Sequence, residues 1–216
     1  MKKRFFITAT GTDVGKTYVT LDLLRLFSKR GYRVGAFKPI ETGVVTQPLD
    51  GTRLHECVRM LNPDCHDTTI DHIVPYQFPL PAAPAVAKGE TSIEAEKLLK
   101  TLAYWEERCD IVLIEGAGGI MTPIDHMTTM IDWCTFFDAY PLLITAGGLG
   151  SLSDTLVAME LFKNRNIPFS WCVNARDQAI FEQINAPYLH SKFPHVIIYD
   201  IHKEQLADEM IERGLR

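Results

Sequence analysis

The chain has 216 residues and a formal net charge of −5 at pH 7, and 46% of its residues are hydrophobic. This length allows one α/β domain with a substantial core, so a second domain is not required. The mild negative charge, without a long basic block, excludes the electrostatic footprint of a protein that binds nucleic acid or an anionic membrane. No apolar run reaches the ~20 residues that a membrane-spanning helix needs.

The cysteines and the first residues of the chain bear on where the protein works. The five cysteines are scattered and odd in number, which fits a reducing compartment better than a disulfide framework. The basic residues 2–4 precede an apolar run that is far too short for a secretory signal, so we expect a cytoplasmic protein. Cys57, Cys65, His66 and His72 lack the spacing of a structural zinc site, and we expect surface and turn residues there.

Short apolar runs alternate with amphipathic segments along the chain. The predicted strands are Arg4 to Thr10, Arg33 to Lys38, Ile111 to Glu115, Leu142 to Thr145, Phe169 to Val173 and Val196 to Ile201. The predicted helices are Thr17 to Lys29, Ile93 to Arg108, Ser153 to Lys163 and Lys203 to Arg213. This alternation implies parallel strands joined by right-handed crossovers. We therefore predict an α/β fold with a doubly wound, mainly parallel sheet and helices on both faces, in one domain over residues 1–216.

Three local signals refine these boundaries. Thr91 and Glu94 have the spacing of a capping box, which predicts the start of a helix. Gly31 follows two basic residues and predicts the end of the first helix. The proline-rich and alanine-rich residues 76–87 fit neither a strand nor a helix by pattern, so we expect an ordered surface loop there.

The stretch Ala-Thr-Gly-Thr-Asp-Val-Gly-Lys-Thr, residues 9–17, lies between the first predicted strand and the first predicted helix, where a phosphate-binding loop belongs. Its N–H groups can converge on an anion, Lys16 can neutralise the β- and γ-phosphates, and the Thr17 hydroxyl can hold Mg²⁺. Thr10 stands where the usual pattern has glycine. The alternative is a glycine-containing turn without a ligand. We favour a nucleoside triphosphate site and a fold of the P-loop NTPase type.

A carboxylate ends the third predicted strand. Glu115 is followed by the small residues Gly116, Ala117, Gly118 and Gly119, which let a backbone come close to phosphates or to a second substrate. Mg²⁺ prefers hard oxygen ligands and takes one or two carboxylates from the protein beside phosphate and water. Glu115 is therefore a predicted magnesium ligand, and the alternative is a strand that ends in a glycine-rich turn.

A lysine ends the second predicted strand. Lys38 is followed by Pro39, and the carboxyl end of a parallel strand faces the same crevice as the phosphate loop. Taken alone, Lys38 is more typical of a solvated strand end than of a catalytic residue.

Three motifs together carry a family resemblance. V-G-K-T (residues 14–17), K-P-I-E-T-G (38–43) and I-E-G-A-G-G (114–119), in this order and spacing, resemble the dethiobiotin synthases of biotin biosynthesis, from Arg4 to about Val173. The resemblance implies an ATP- and Mg²⁺-dependent ring closure. In that family 7,8-diaminopelargonate captures CO₂ as a carbamate, the carbamate takes the γ-phosphoryl group of ATP, and the second amine displaces phosphate to close a cyclic urea.

The resemblance also implies the roles of individual residues and a homodimer with its sites at the subunit interface. The catalytic residues it implies are Lys38 and Lys16. The implied nucleotide-binding residues are Thr12, Asp13, Val14, Gly15, Lys16, Thr17, Tyr18, Asp50, Glu115, Gly116, Ala117, Gly118 and Asn174, of which Asn174 matches an adenine contact. Thr42, Gly118 and Ser153 are the implied diamine-binding residues, and Thr17, Asp50 and Glu115 the implied metal ligands. For Asp50 an exposed turn aspartate is the open alternative.

The chain departs from the family pattern at several places. Ala83 and Ala85 stand where serine and histidine are common, and Ser153 replaces an asparagine that reaches the substrate carboxylate of the neighbouring subunit. Ser153 precedes a predicted helix whose free N–H groups favour an anion, and the alternative is a simple N-cap. Residues 199–202, Tyr-Asp-Ile-His, replace Gly-Glu-Ile-Pro in the segment that recognises the base, which leaves a strict preference for ATP open.

Two other functions stay open. One is an ATPase switch of the partitioning or cell-division type, which carries an extra lysine at the start of the loop, whereas no lysine lies between Arg4 and Lys16. The other is a nucleotide-binding regulator without turnover, which would be favoured if Lys38 or Glu115 pointed away from the phosphates.

Overall fold

The computed structural model describes residues 3–214. Its strands are β1 (Lys3–Ala9), β2 (Val34–Phe37), β3 (Ile40–Thr42), β4 (Tyr76–Phe78), β5 (Ile111–Glu115), β6 (Tyr140–Ala146) and β7 (Ser170–Asn174). Its helices are α1 (Lys16–Lys29), α2 (Leu49–Leu61), α3 (Ile70–Ile73), α4 (Pro84–Ala87), α5 (Ala95–Arg108), α6 (Asp132–Phe136), α7 (Ser151–Asn164), α8 (Gln178–Ile184), α9 (Ala186–Lys192) and α10 (Tyr199–Arg213).

Five parallel strands form the main sheet in the order β2-β5-β1-β6-β7. Because the chain moves from β1 to β2 in one direction along the sheet and from β6 to β7 in the other, right-handed crossovers place α1 and α7 on opposite faces. The predicted doubly wound sheet with helices on both faces is thereby confirmed. The reversal lies beside β1, so the crevice at the carboxyl end of β1 is the place where ligands bind in such sheets.

The central strands are apolar because helices cover both of their faces. Phe5, Phe6 and Ile7 of β1 are fully buried, and so is every residue from Leu142 to Ile144 of β6. Ile7 pairs with Glu115 of β5 on one side and with Leu142 of β6 on the other. This register brings Glu115 level with the last residues of β1, next to the phosphate loop.

Most of the predicted strands and helices are confirmed, and their ends lie within a few residues of the prediction. The bounds of β5 are those predicted, and α1 ends at Lys29, two residues before Gly31, which has a φ of +89°. The predicted strand from Val196 to Ile201 is wrong. Only an isolated bridge joins Ile198 to Val173, and α10 begins at Tyr199, whose buried ring meets Tyr18 of α1 edge-on.

The predicted capping box at Thr91 and Glu94 is also wrong. Helix α5 begins at Ala95, and the backbone N–H of Glu94 donates to the Tyr76 hydroxyl at 2.7 Å. The Tyr76 hydroxyl thus accepts from the N–H group that the Thr91 side chain would have bound in a capping box. The structure has a capping box at a different place, where Thr69 and His72 bracket the first turn of α3.

The loop predicted for residues 76–87 is wrong in part. Its first three residues are β4, which pairs in parallel with β3, and its last four are α4. This pairing ties Thr42 to Phe78 and so holds residues 40–42 beside the sheet. Sequence periodicity does not predict the short or polar helices α2, α3, α6, α8 and α9.

The cysteines are reduced and buried. Cys57 lies in α2 and Cys65 at the end of a 3₁₀ turn, so our expectation of surface positions is wrong for these two. Among residues 3–214 no group of three or more His, Cys, Asp or Glu side chains is arranged to hold a metal ion. In the same part of the chain no helix combines the length and apolar character that crossing a membrane requires.

Candidate active site

A cavity of about 320 Å³ opens at the carboxyl edge of the main sheet, between the end of β1 and the start of α2. Its lining residues are Thr12, Asp13, Gly15, Lys16, Thr17, Tyr18, Lys38, Glu41, Thr42, Asp50, Arg53, Ala117, Gly118 and Arg176. The structure therefore brings most of the predicted site residues together. Glu41, Arg53 and Arg176 line the cavity as well and were not predicted.

The phosphate loop joins β1 to α1 through two left-handed residues. Asp13 has a φ of +56° and Gly15 a φ of +105°, and a side chain at Gly15 would collide with the Asn174 amide. The loop thus needs glycine at position 15, and α1 starts directly after it with no side-chain cap. Such a helix start leaves N–H groups free for an anion.

Lys16 is held inside this loop. Its Nζ atom donates to the carbonyl oxygen of Gly11 at 2.9 Å, and the side chain is 8% exposed. Burial, with repulsion from Lys38 as a second cause, lowers the pKa of Lys16 to about 8. A bound phosphate would offset both costs, since it brings negative charge next to a poorly solvated cation.

Glu115 lies at the end of β5 and is fully buried. Its Oε1 atom accepts hydrogen bonds from Lys38 Nζ at 2.7 Å and from Thr17 Oγ1 at 2.8 Å. Among the described residues its Oε2 atom has no hydrogen-bond partner. A buried carboxylate oxygen without a partner is costly, and it is the ligand type that Mg²⁺ prefers. Together with the Thr17 hydroxyl, Glu115 fits a hard divalent cation.

Lys38 points into the cavity from the end of β2. Its backbone N–H donates to the carbonyl of Ile73 at 2.8 Å, and its Nζ atom lies 3.4 Å from Oδ2 of Asp50 as well as 2.7 Å from Glu115. Burial alone would lower the pKa of Lys38, but the carboxylates of Glu115 and Asp50 outweigh it and raise the pKa above its usual value. With 4% of the residue exposed, Lys38 is not a solvated strand end.

Asp50 is the second residue of α2 rather than a turn aspartate. Its side chain is 39% exposed and lies on the cavity wall beside Lys38. Two of the three predicted metal ligands, Asp50 and Glu115, therefore contact the Lys38 ammonium, and the third, Thr17, donates to Oε1 of Glu115. Their role as ligands stays a prediction.

The small residues after β5 are required by close packing. Gly118 has a φ of +66°, and a Cβ there would collide with the Thr122 side chain. A Cβ on Gly119 would lie 2.8 Å from the carbonyl oxygen of Thr10 in the phosphate loop. The N–H of Gly116 donates to Ile7 at 3.0 Å and continues the pairing with β1. Residues 116–119 thus pack directly against the phosphate loop.

Asn174, at the end of β7, is bound to the phosphate loop. Its Nδ2 atom donates to the carbonyl of Val14 at 2.8 Å. Both residues line a second cavity of about 260 Å³. Asp13 and Arg176 line this cavity as well as the first. The Asn174 side-chain oxygen and the second hydrogen of Nδ2 take no part in the bond to Val14, so either is available for an adenine contact.

Ser153 is the predicted site residue that lies apart from the main cavity. It is exposed and is the third residue of α7, whose N-cap is Gly150 with a φ of +86°. The N-cap alternative for Ser153 is therefore wrong. The free N–H groups of this helix start remain at hand for an anion, although Asp154 stands in the same turn.

The fold and the site define a P-loop protein that binds a nucleoside triphosphate. Solved structures share the fold: a ParA family ATPase from Chlorobium tepidum (TM-score 0.53, 14% identity, all of both chains covered) and a plasmid partition protein from Borrelia burgdorferi (TM-score 0.59, 11% identity, 98% of this chain and 99% of that chain). At such low identity the likeness concerns the fold alone.

Sequence comparison identifies the family. A family model described as an AAA domain matches residues 3–183. The ATP-dependent dethiobiotin synthetase BioD of Sulfurovum sp. (strain NBC37-1) is 43% identical over 190 residues, 88% of this chain and 90% of that protein. The protein of the same name from Wolinella succinogenes is 32% identical over 213 residues, 97% of this chain and 98% of that protein. The chain belongs to the ATP-dependent dethiobiotin synthetase family, which confirms the resemblance inferred from its motifs.

Proposed function

We propose that this chain uses ATP and Mg²⁺ to convert 7,8-diaminopelargonate and CO₂ into dethiobiotin. Family membership supports the reaction, and one observation supports the assignment of residues: Lys38, Glu115 and Thr17 form a hydrogen-bonded set in the cavity beside the phosphate loop. A regulator without turnover predicts that Lys38 or Glu115 points away from the phosphates. Lys38 lines this cavity, and the buried Glu115 is bonded to Lys38 and Thr17 at its wall.

Nucleotide binding is assigned to the phosphate loop and its neighbours. The N–H groups of residues 12–17 surround the β- and γ-phosphates, and Lys16 leaves the Gly11 carbonyl to neutralise their charge. Asn174 and the second cavity take the base side of the nucleotide. Thr17, Asp50 and Glu115 would hold Mg²⁺, which would neutralise negative charge on the phosphates.

The diamine reacts in two stages. One amine adds to CO₂ and loses a proton to give a carbamate, and a carbamate oxygen then takes the γ-phosphoryl group as ADP leaves. The second amine attacks the carbonyl carbon of this mixed anhydride, and phosphate leaves as the cyclic urea closes. Lys38 is placed to neutralise the carbamate and the transferring phosphoryl group, because its ammonium is buried at the cavity wall and its pKa is raised.

The rest of the substrate is assigned to Thr42, Gly118 and a neighbouring subunit. Thr42 and Gly118 line the cavity, whereas Ser153 lies outside it near Leu149, which is 92% exposed. A homodimer explains both facts, since Ser153 can then reach the substrate carboxylate of the partner's site while Leu149 is covered. The homodimer and the expected cytoplasmic location stay predictions.

Product analysis tests the proposal. The chain is incubated with ATP, Mg²⁺, bicarbonate and 7,8-diaminopelargonate, and the mixture is examined by mass spectrometry. The proposal requires dethiobiotin, and with ¹³C-bicarbonate the label must appear in the ureido carbon. Absence of dethiobiotin with folded, nucleotide-binding protein would overturn the proposed function.

A further inference from the structure

Helix α2, which carries Asp50, has no cap of its own. Its N-cap residue is Pro48, whose side chain offers no hydrogen-bond acceptor. The first N–H groups of a helix need a partner, and a side-chain acceptor normally comes from the N-cap residue. Another part of the chain must therefore supply it.

Glu41 supplies this acceptor from β3. Its Oε1 atom accepts from the N–H of Asp50 at 3.1 Å, and its Oε2 atom accepts from the N–H of Gly51 at 2.8 Å. The residue is 7% exposed. Both oxygens of one buried carboxylate are thus bound to the first turn of α2, and one of the two donors is Asp50 itself.

The close approach of the helix to Glu41 depends on Gly51. A Cβ at this position would lie 3.2 Å from Oε2 of Glu41 and would collide with Val74. Only glycine fits without a shift of the helix. The contact between β3 and α2 is therefore a close-packed, buried contact.

Lys38 and Glu41 lie three residues apart in one segment. Lys38 directly follows β2 and binds Glu115. Glu41 holds the helix that presents Asp50 to the same ammonium group at 3.4 Å. Burial raises the pKa of Glu41, while Lys38 and the two N–H groups act in the opposite direction. The same segment thus fixes the cation and one of its two carboxylate neighbours.

We propose that Glu41 is a positioning residue that holds the Asp50 carboxylate where it can serve a divalent cation on the nucleotide. This inference rests on the proposed function, because it takes Asp50 as a metal ligand. Glu41 itself is occupied by backbone N–H groups, so it acts through Asp50 and not on the metal.

The test is a titration with Mn²⁺, which serves as a probe for the divalent site. The titration is carried out in the presence of a non-hydrolysable ATP analogue, and binding is measured by electron paramagnetic resonance. Glu41→Gln keeps the size of the side chain but replaces one acceptor oxygen by a donor facing an N–H group. We expect Mn²⁺ affinity to fall about tenfold, the range seen when a supporting residue of a metal site is changed. Affinity for the analogue in EDTA should stay unchanged.

A double-mutant cycle shows whether the effect passes through Asp50. Asp50→Asn should weaken Mn²⁺ binding, and Glu41→Gln should then add little in the Asp50→Asn background. Glu106→Gln is the matched control, because it removes a carboxylate bonded to Arg4 far from the cavity; it should leave Mn²⁺ affinity unchanged. If circular dichroism shows that Glu41→Gln does not fold, the same cycle is repeated in a Pro48→Ser background, because this change gives α2 a local cap.

The outcomes separate the two proposals. Mn²⁺ affinity of Glu41→Gln within twofold of the parent, while Asp50→Asn is weak, would overturn the role of Glu41 alone. A full additional loss in the Asp50→Asn background would also overturn it, since Glu41 would then act independently of Asp50. Unchanged affinity in Asp50→Asn would remove Asp50 as a ligand and the inference with it.

Discussion

The two halves of the sheet edge differ in how their polar groups are held. At the ends of β2, β5 and β1, Lys16, Lys38 and Glu115 are buried and hydrogen-bonded. At the end of β6 the chain continues into the exposed residues 148–150 and into the start of α7, where Ser153 is exposed. One half is a preformed set of charges, and the other is an open surface.

This difference indicates how each half contributes. Buried, preorganised charges act strongly because little reorganisation and little water oppose them. Exposed groups at a helix start gain less from an anion, since solvent screens them. Substitutions in the preformed half should therefore change rates and affinities much more than substitutions in the open half.

The largest effect is expected at Lys38. Lys38→Met keeps the apolar stem and removes the charge, and we expect kcat/KM to fall at least ~10²-fold with most nucleotide affinity retained. Steady-state kinetics with the diamine, bicarbonate and ATP measure this. Lys3→Met is the matched control, because Lys3 is also a buried lysine but donates to the carbonyl of Ile211 outside the cavity. Turnover by Lys38→Met within a few-fold of the parent would end the catalytic assignment.

The next effect concerns Lys16 and has two parts. Lys16→Met should weaken ATP binding by ~1.5–3 kcal/mol, the value of one charge-assisted contact. The same variant should stabilise the nucleotide-free protein by about 1–3 kcal/mol, because a buried lysine with a lowered pKa makes folding less favourable at neutral pH. Calorimetry and chemical denaturation measure the two parts. Unchanged ATP affinity would remove Lys16 from the phosphate site.

A pH series sharpens the same point. In the free protein Lys16 loses its proton near pH 8, whereas bound phosphates raise its pKa, so binding takes up a proton above pH 8. The Kd for ATP should therefore rise about tenfold between pH 7 and pH 9. Lys16→Arg stays charged over this range, and its Kd should not show this rise. Equal pH profiles for the two proteins would contradict the lowered pKa.

The smallest effect is expected in the open half. Ser153→Ala should raise the KM for the diamine severalfold and leave ATP binding unchanged, since Ser153 offers one exposed hydroxyl at a helix start. Asp154→Asn is the neighbouring control and should not raise this KM. A hundredfold rise for Ser153→Ala would break the comparison between the two halves, and an unchanged KM would remove Ser153 from the substrate site.

The preformed half was largely predictable from the sequence. Lys38 and Glu115 end apolar runs that read clearly as strands, and parallel strands bring such ends to one edge. Glu41 lies within the K-P-I-E-T-G motif, but its role as a cap of α2 is not predictable, because the sequence does not show which N–H groups a carboxylate will reach. Helix α2 begins directly after Pro48 and contains Gly51, and both residue types are typical of turns, so the sequence does not predict this helix.

The C-terminal region was the least predictable. Residues 196–201 form an apolar and β-branched run, which a periodicity argument cannot distinguish from a helix start. Tertiary packing decides the outcome, because the Tyr199 side chain is buried against α1 and its hydroxyl donates to the Val19 carbonyl at 3.3 Å. Arg176, which donates to the backbone of Asp13, was missed for a similar reason, since the contact joins distant segments.

The central claim is that the preformed half transfers the γ-phosphoryl group to a carbamate and not to water. The direct measurement is phosphate release from ATP in the presence of Mg²⁺ and bicarbonate, with and without 7,8-diaminopelargonate. The account predicts that phosphate release depends on the diamine and equals the dethiobiotin formed. Release at the same rate without the diamine would contradict it and would indicate an ATPase switch.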